Sequence, residues 1–442
     1  MLIQAAEIVA ASQHAREQRL LRELDGRAGV GRGVCLFVDA LDHTSGVSRF
    51  VLDLARAAES VHAPLTIFTC ARADPAWPAN VIPVEPVGSL PAPGYATLRL
   101  AVPRIAGLIE RCAAIDPAAV HVSTPGPVGL SGLLAARATR APLVATHHTD
   151  LPAYARRLVG SNLAGLAAAK ALGWLYARCQ RVLVRSSASA RDVGALGVAP
   201  DRVRVITPGI DLSRFGPGRR DPSVWDGFPG VSRAGLKALC VGRLSAEKDI
   251  GALARMWRAA EARLARAGVG AELIVVGDGP GADALRRSVR GSRVRLLGEV
   301  RDGRLPAVYA SSDLFVFPSR TETLGQVVIE AQASGLPALV SDAGGPAELV
   351  RDGVTGLVLD ATDADAWALA AAALLTDDNR RRAMGLAAAA HAKRFRFERS
   401  FASFWSAHAE VAPLAPVSRA PARAGRGRTR AAATPTPQRG RP

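Results

Sequence analysis

The densest chemistry in the sequence lies between Phe317 and Val340, where the chain reads Phe-Pro-Ser-Arg-Thr-Glu322-Thr323-Leu324-Gly325-Gln326-Val-Val-Ile-Glu330-Ala-Gln-Ala-Ser-Gly335-Leu-Pro337 and then Ala-Leu-Val. An apolar run ends at Pro318, a polar loop carries Glu322, and the pattern predicts a helix from near Leu324 to a stop at Gly335. Backbone N–H groups at a helix start have no partner within the helix and attract anions, and the helix dipole favours negative charge there. Glu330 falls about two turns along that helix. A diphosphate seated on the helix start would have Glu322 near one end, for hydroxyls, and Glu330 near the other, for a ribose. Glu322 also has a plainer reading, as a carboxylate that caps its helix.

Three further segments could meet such a ligand. In Val241-Gly242-Arg243-Leu-Ser-Ala-Glu-Lys248, a flexible glycine precedes a guanidinium and an ammonium at the end of a strand-like run. A planar fork and a point charge at that place can both reach one phosphate group. In Leu143-Val-Ala-Thr-His147-His148-Thr-Asp150, two imidazoles leave a strand together. Either could be a satisfied core histidine, and alternation would place the two on opposite faces if the strand persists. In the loop Asp39 to Arg49, Gly46 with Val47 would let backbone approach a phosphate closely, although a glycine there also serves as an ordinary turn residue. The run Gly277-Asp278-Gly279-Pro280-Gly281 departs from the dinucleotide fingerprint, because its third glycine comes one position early. Asp278 and Gly279 are instead assigned to the nucleotide side of the cleft. No carboxylate cluster has metal-like spacing, so no metal is expected.

These residues must be positioned by a repeating scaffold. Short Val/Ile/Leu-rich runs alternate with Ala/Leu/Arg-rich helical stretches from residue 33 onward, the pattern of parallel strands with crossover helices. A length of 442 residues suits two domains and a tail. A helical extension is expected over 1–32, a first doubly wound domain over 33–208 and a Pro/Gly-rich linker over 209–234. A second doubly wound domain follows over 235–393, a helix packing back on the first domain over 394–410, and a disordered basic tail over 411–442. Sheets of this kind bind ligands beyond the carboxyl ends of their strands, so a cleft between the domains is expected.

Composition narrows the partners. The five cysteines are widely separated, with neither zinc nor redox spacing, and read as small core residues in a reducing compartment. No apolar run approaches the roughly 20 residues of a membrane span, and the N-terminus lacks the order of a secretory signal, so a cytoplasmic protein is expected. The formal charge of +17 is partly that of the acid-free tail. Few aromatics stand among the remaining charges, which argues against nucleic acid and favours phosphate-bearing substrates or an anionic membrane surface.

Taken together, these segments resemble the retaining family-4 glycosyltransferases of the two-domain GT-B fold, an α/β architecture of two facing Rossmann-like domains. The signature is a Glu, seven intervening residues and a second Glu, with an upstream Gly-Arg and a Lys, and the resemblance covers about residues 33 to 408. It implies a catalytic set of Arg243 and Lys248 on the diphosphate, Glu322 on the sugar and His148 against the donor sugar. It implies donor contacts from Gly46, Val47, Gly242, Leu324, Gly325, Gln326 and Glu330, and Thr323, Asp278 and Gly279 are read beside them as further donor-binding positions. Leu324 stands where the family often has Phe, and Ser45-Gly46 where it often has two glycines. The resemblance further implies a nucleoside diphosphate sugar as donor substrate, no separate cofactor, and transfer of a hexose with retention. The donor is expected to be GDP-mannose or else a UDP-hexose, and the acceptor a lipid or glycan. Two rivals stand beside this reading: a two-domain sugar-nucleotide isomerase or phosphorylase, and a catalytically silent binding module.

Overall fold

The computed structural model describes residues 33–39, 41, 45–92, 95–245, 248–300 and 303–414. The expected helix over 1–32 and the tail from residue 415 lie outside them, whereas residues 411–414, where the disordered tail is expected to begin, pack on the first domain through Val411, Ala412 and Leu414. The first domain runs β1 (Val34–Val38), β2 (Leu65–Thr69) and β3 (Val81–Pro83), then a hairpin of β4 (Pro86–Ala92) and β5 (Tyr95–Pro103). It continues with β6 (Ala119–Val122), β7 (Leu143–Thr146), β8 (Arg181–Val184) and β9 (Val203–Val205). Seven of these form one parallel sheet in the order β3-β2-β1-β6-β7-β8-β9. The second domain contributes β10 (Leu236–Val241), β11 (Ala271–Val276), β12 (Val294–Gly298), β13 (Leu314–Phe317), β14 (Ala338–Ser341) and β15 (Gly356–Leu359), also all parallel, in the order β12-β11-β10-β13-β14-β15.

Helices cover both faces of each sheet, which is why the central strands are continuous apolar runs rather than alternating ones. All five residues of β1 and all six of β11 are buried. The helix Ile250–Arg266 shows how the covering layer is specified. Asp249 caps its start by accepting from Ala252 N, and Leu253, Ala254, Met256, Trp257, Ala260 and Leu264 form one buried stripe against the second sheet. Arg263 and Arg266 complement the dipole at its end. Removing the fully buried Trp257 side chain would cost about 3–5 kcal/mol.

The hairpin of β4 and β5 is a difference from the pattern reading, which places no strand there. Prolines at 86, 91 and 103 argue against a central strand, but an isolated two-stranded ribbon tolerates residues that cannot donate to a ladder. The Pro/Gly-rich segment after residue 208 is also more than a tether. Phe215, Val224, Trp225 and Phe228 sit in the core of the second domain, so this stretch belongs physically to that domain's packing.

At the other end of the chain, the helix Phe397–Ala409 packs on the first domain. Phe401, Phe404 and Trp405 join the cluster formed by β1 and the helix Gly46–Ser60. A polar chain runs through this apolar contact. His408 Nδ1 donates to Phe404 O at 2.8 Å, which leaves His408 Nε2 to accept from His121 Nδ1 at 2.9 Å. His121 Nε2 then accepts from the Thr146 hydroxyl at 2.9 Å. Burial holds both imidazoles neutral, with His408 pushed down to about 4 and His121 well below its ordinary value.

Candidate functional site

The second-domain wall of the cleft is built from loops that follow strands. The loop after β10 carries Gly242 and Arg243, and it packs against the loop after β11, where Leu244 N donates to Asp278 O at 2.9 Å and Gly281 N to Leu244 O at 2.7 Å. Gly277 has φ 129, and a Cβ placed on it would lie 2.0 Å from Gly242 O. The glycines of the 277–281 run are thus explained by two loops touching backbone to backbone. Asp278 turns its carboxylate onto the N–H of Gly279 at 2.7 Å. Arg243 is an exposed residue of this loop. Lys248 forms an ion pair with Glu322, and its Nζ lies 6.0 Å from the centre of the Phe317 ring.

The segment Glu322-Thr323-Leu324 is held from behind by Gly344 and Gly345. Gly345 N donates to Glu322 O at 2.8 Å, and a Cβ on Gly345 would approach Thr323 O to 2.3 Å. Gly325 then turns the chain with φ 81 and the helix Gln326–Ala333 begins, two residues later than the pattern predicts. The loop needs those residues to place Leu324 in the core. Glu330 on this helix is 1% exposed, and a carboxylate so buried must be satisfied. Arg49 Nη1 reaches one oxygen at 2.5 Å and the Tyr309 hydroxyl donates to the other at 3.0 Å. Each partner shifts in consequence. Glu330 holds the Arg49 guanidinium above its ordinary pKa, while burial, reinforced by Glu330, raises the Tyr309 hydroxyl.

The first-domain wall is made largely of side chains. Ser45 caps the helix Gly46–Ser60 through Ser48 N, and Gly46 with Val47 forms its opening turn. A Cβ on Gly46 would meet nothing within 4 Å, so the local packing does not demand glycine there. One turn further on, the same helix presents Arg49 to Glu330 and Phe50 to His148, whose ring centre is 5.4 Å away. His148 Nε2 lies 3.0 Å from Ser123 Oγ, and its carbonyl accepts from Thr323 Oγ1 at 2.6 Å. Burial, then Arg185, then His147 push its pKa well below the ordinary imidazole value. His147 is buried against Tyr176, with Nδ1 3.1 Å from the hydroxyl, and burial pushes it down to about 4. Asp39, at the end of β1, accepts from Thr124 Oγ1, Gly126 N and Val128 N and so shapes the start of the helix Pro127–Thr139.

The two walls are stitched together. The hydroxyls of Ser186 and Ser189 donate to Thr323 O at 2.6 and 3.2 Å, and Glu348 accepts from Ser187 N and Ala188 N at 2.8 and 2.7 Å, capping a first-domain helix with a second-domain carboxylate. Arg185 Nη2 donates to Gln326 Oε1 at 3.5 Å. The structure therefore brings Lys248, Glu322, Thr323, Gln326, Glu330 and His148 into one connected set. Gly242 and Arg243 lie beside Asp278 and Gly279 in paired loops, and Gly46 with Val47 stands one turn before Arg49. Residues that pattern reading leaves without a role are Arg49, Arg185, Ser186, Tyr309 and Glu348. Among them Ser186 alone has a local signal, as a helix N-cap. Among the described residues no group of three His, Cys, Asp or Glu side chains is arranged to hold a metal ion, and no helix is long and apolar enough to cross a membrane.

Two parallel-sheet domains facing one another across such a seam define the GT-B architecture. The fold matches that of Anabaena HepE, solved with UDP and glucose, at a TM-score of 0.66 and 21% identity over 86% of this chain and 100% of that one. It matches sucrose-phosphate synthase from Thermosynechococcus elongatus at 0.66 and 20% identity over 86% and 98%. Residues 44–214 match the pattern of Glycosyltransferase Family 4, and residues 235–377 that of Glycosyl transferases group 1. A GDP-mannose-dependent alpha-mannosyltransferase of Mycolicibacterium smegmatis is 36% identical over 285 residues, 63% of this chain and 69% of the relative. The corresponding enzyme of Corynebacterium glutamicum is 34% identical over 279 residues, and the chain spans 62% of that relative's length. A sulfoquinovosyl transferase of Arabidopsis thaliana is 30% identical over 305 residues, 68% of this chain and 58% of the relative. The chain belongs to glycosyltransferase family 4.

Proposed function

We propose that the protein transfers a hexose from a nucleoside diphosphate sugar to an acceptor hydroxyl, with retention at the anomeric carbon and without a metal. The observation that carries this reading is the Lys248–Glu322 pair set beside the start of the helix Gln326–Ala333, with the Arg243 loop next to it and His148 opposite. Arg243, Lys248 and the helix N–H groups would hold the leaving diphosphate, and stabilising charge as it develops there is the largest source of acceleration available to such a site. Lys248 would exchange Glu322 for phosphate, freeing that carboxylate for the sugar hydroxyls. His148, kept neutral, can share a hydrogen bond with a sugar hydroxyl without adding a competing charge. On this wall Asp39 is occupied by three donors, which disfavours it as a nucleophile. The departing phosphate oxygen would then take the acceptor's proton on the face it leaves.

GDP-mannose is the favoured donor, on the identity to two mannosyltransferases. A thermal-shift series with GDP-mannose, UDP-glucose and ADP-glucose tests this, since a ligand specific for the folded state raises Tm. Stabilisation by none of them would end the reading. Donor turnover without any glycosylated product would favour the isomerase or phosphorylase, and donor binding without turnover the silent module. The acceptor is proposed to be a lipid at an anionic membrane surface. The helix Asn162–Tyr176 supports this by exposing Leu163, Leu166 and Trp174 beside Lys170, in a stretch without an acid from residue 151 to 191. Equal sedimentation with neutral and anionic vesicles would count against that acceptor class.

A further inference from the structure

The cations of the cleft are not all provided for in the same way. Lys248 is paired with Glu322 and Arg49 with Glu330. Arg185, which directly follows β8, is 7% exposed, and its guanidinium lies over the Phe50 ring at 4.7 Å. Its contact with Gln326 Oε1, at 3.5 Å, is at the long limit of a hydrogen bond. Among the described residues its Nε has no hydrogen-bond partner and no carboxylate forms an ion pair with it, although the charge of Asp53 reaches it from farther away. A guanidinium withdrawn from water and left this incomplete is costly unless an anion completes it. Burial accordingly lowers its pKa to about 10, which still leaves it charged near neutrality.

Arg185 is also held firmly where it stands. The next residue donates through its hydroxyl to Thr323 O, and the two N–H groups after that are bound by Glu348. The side chain is therefore aimed at Gln326, the first residue of the helix whose free N–H groups and dipole attract negative charge. Two independent anion-attracting features, one from each domain, converge on the same point.

We propose that Arg185 binds a phosphate group of the substrate, completing from the first domain an anion site whose other half is the N-terminus of the helix Gln326–Ala333. This rests on reading the cleft as a nucleotide-sugar site. The phosphate has two possible sources, the donor's diphosphate or a phosphate carried by the acceptor.

Calorimetric titration of the full chain and its Arg185→Gln and Arg185→Lys variants separates these. Guanosine, GDP and inorganic diphosphate are titrated first, then inorganic phosphate into each protein saturated with GDP. If the donor supplies the anion, R185Q weakens GDP and inorganic diphosphate at least tenfold, R185K weakens them less, and guanosine is unchanged. If the acceptor supplies it, GDP affinity is unchanged, while the GDP-saturated wild type binds inorganic phosphate at least tenfold more tightly than R185Q. Unchanged affinities in both series, for variants that melt like the wild type, would overturn the proposal. Wild-type protein that binds inorganic diphosphate but no nucleoside diphosphate would remove the proposed function while the comparison at Arg185 still stands. Protein that binds none of these anions would remove both.

Discussion

On the second-domain wall, functional groups are placed by backbone pressed against backbone: Gly277 against Gly242 O, and Gly345 against Thr323 O. On the first-domain wall they are placed by side chains that cap, stack and bridge, as with Ser45, Phe50, Ser123 and Ser186. Packed backbone leaves no room for variation, because even a methyl group has nowhere to go, whereas side-chain scaffolding can be rebuilt without moving the sheet.

Mutations can test that contrast, beginning with the largest expected effect. Arg243→Ala should lower kcat about 10²–10³-fold, the scale of losing one charge-stabilising donor. Its exposed side chain means Tm should hold, and near-normal turnover in the folded variant would remove Arg243 from the site. Gly277→Ala should destabilise the second domain by about 2–4 kcal/mol, read by urea unfolding, because φ 129 is strained for any other residue and the new methyl group would strike Gly242 O. A fully stable Gly277→Ala protein would undo the account of a backbone-built wall.

The next effect is one of pH. His408 and His147 are held near 4 in the folded chain, against about 6.5 when unfolded. A folded pKa below the unfolded one means the unfolded chain binds more protons below pH 6.5. Stability is therefore complete above that pH and lost as pH falls towards 4, by about 1–3 kcal/mol per histidine. His408→Gln should flatten that part of a Tm-against-pH curve, and an unchanged slope would show that this imidazole does not titrate on unfolding.

Smaller still, Glu348→Ala should cost about 1 kcal/mol, as the loss of a helix cap does, and raise KM for the donor by loosening the seam at Thr323. A lower Tm with unchanged KM would make the contact purely structural. Gly46→Ala should change stability by only a few tenths of a kcal/mol, since its site is open and it starts a helix. A fall in kcat/KM at constant Tm would place that backbone turn against the donor.

Much of the architecture was legible because it depends on local pattern. Apolar runs of four to six residues between amphipathic stretches are read directly as β1, β10, β11 or β13. The hairpin of β4 and β5 escaped because its prolines are permitted by an edge environment that only the fold supplies. The core role of Trp225 escaped because Pro and Gly around it carry the turn signal more strongly than one aromatic carries a packing signal.

The sequence alone determined the alternation of strands and helices, the family to which the chain belongs, and which acids and bases stand at strand and helix ends. Those features are encoded over a few residues, in the periods of the backbone and in the types of side chain at its turns. Tertiary structure alone decided that Arg49 meets Glu330, that Glu348 caps a helix of the other domain, and that Arg185 stands over Phe50 with its charge incompletely paired. Such partners lie far apart in the chain, the first two pairs on separate domains and Arg185 with Phe50 on distant elements of one, so their meeting depends on how whole elements are set against each other, and no local pattern carries that information.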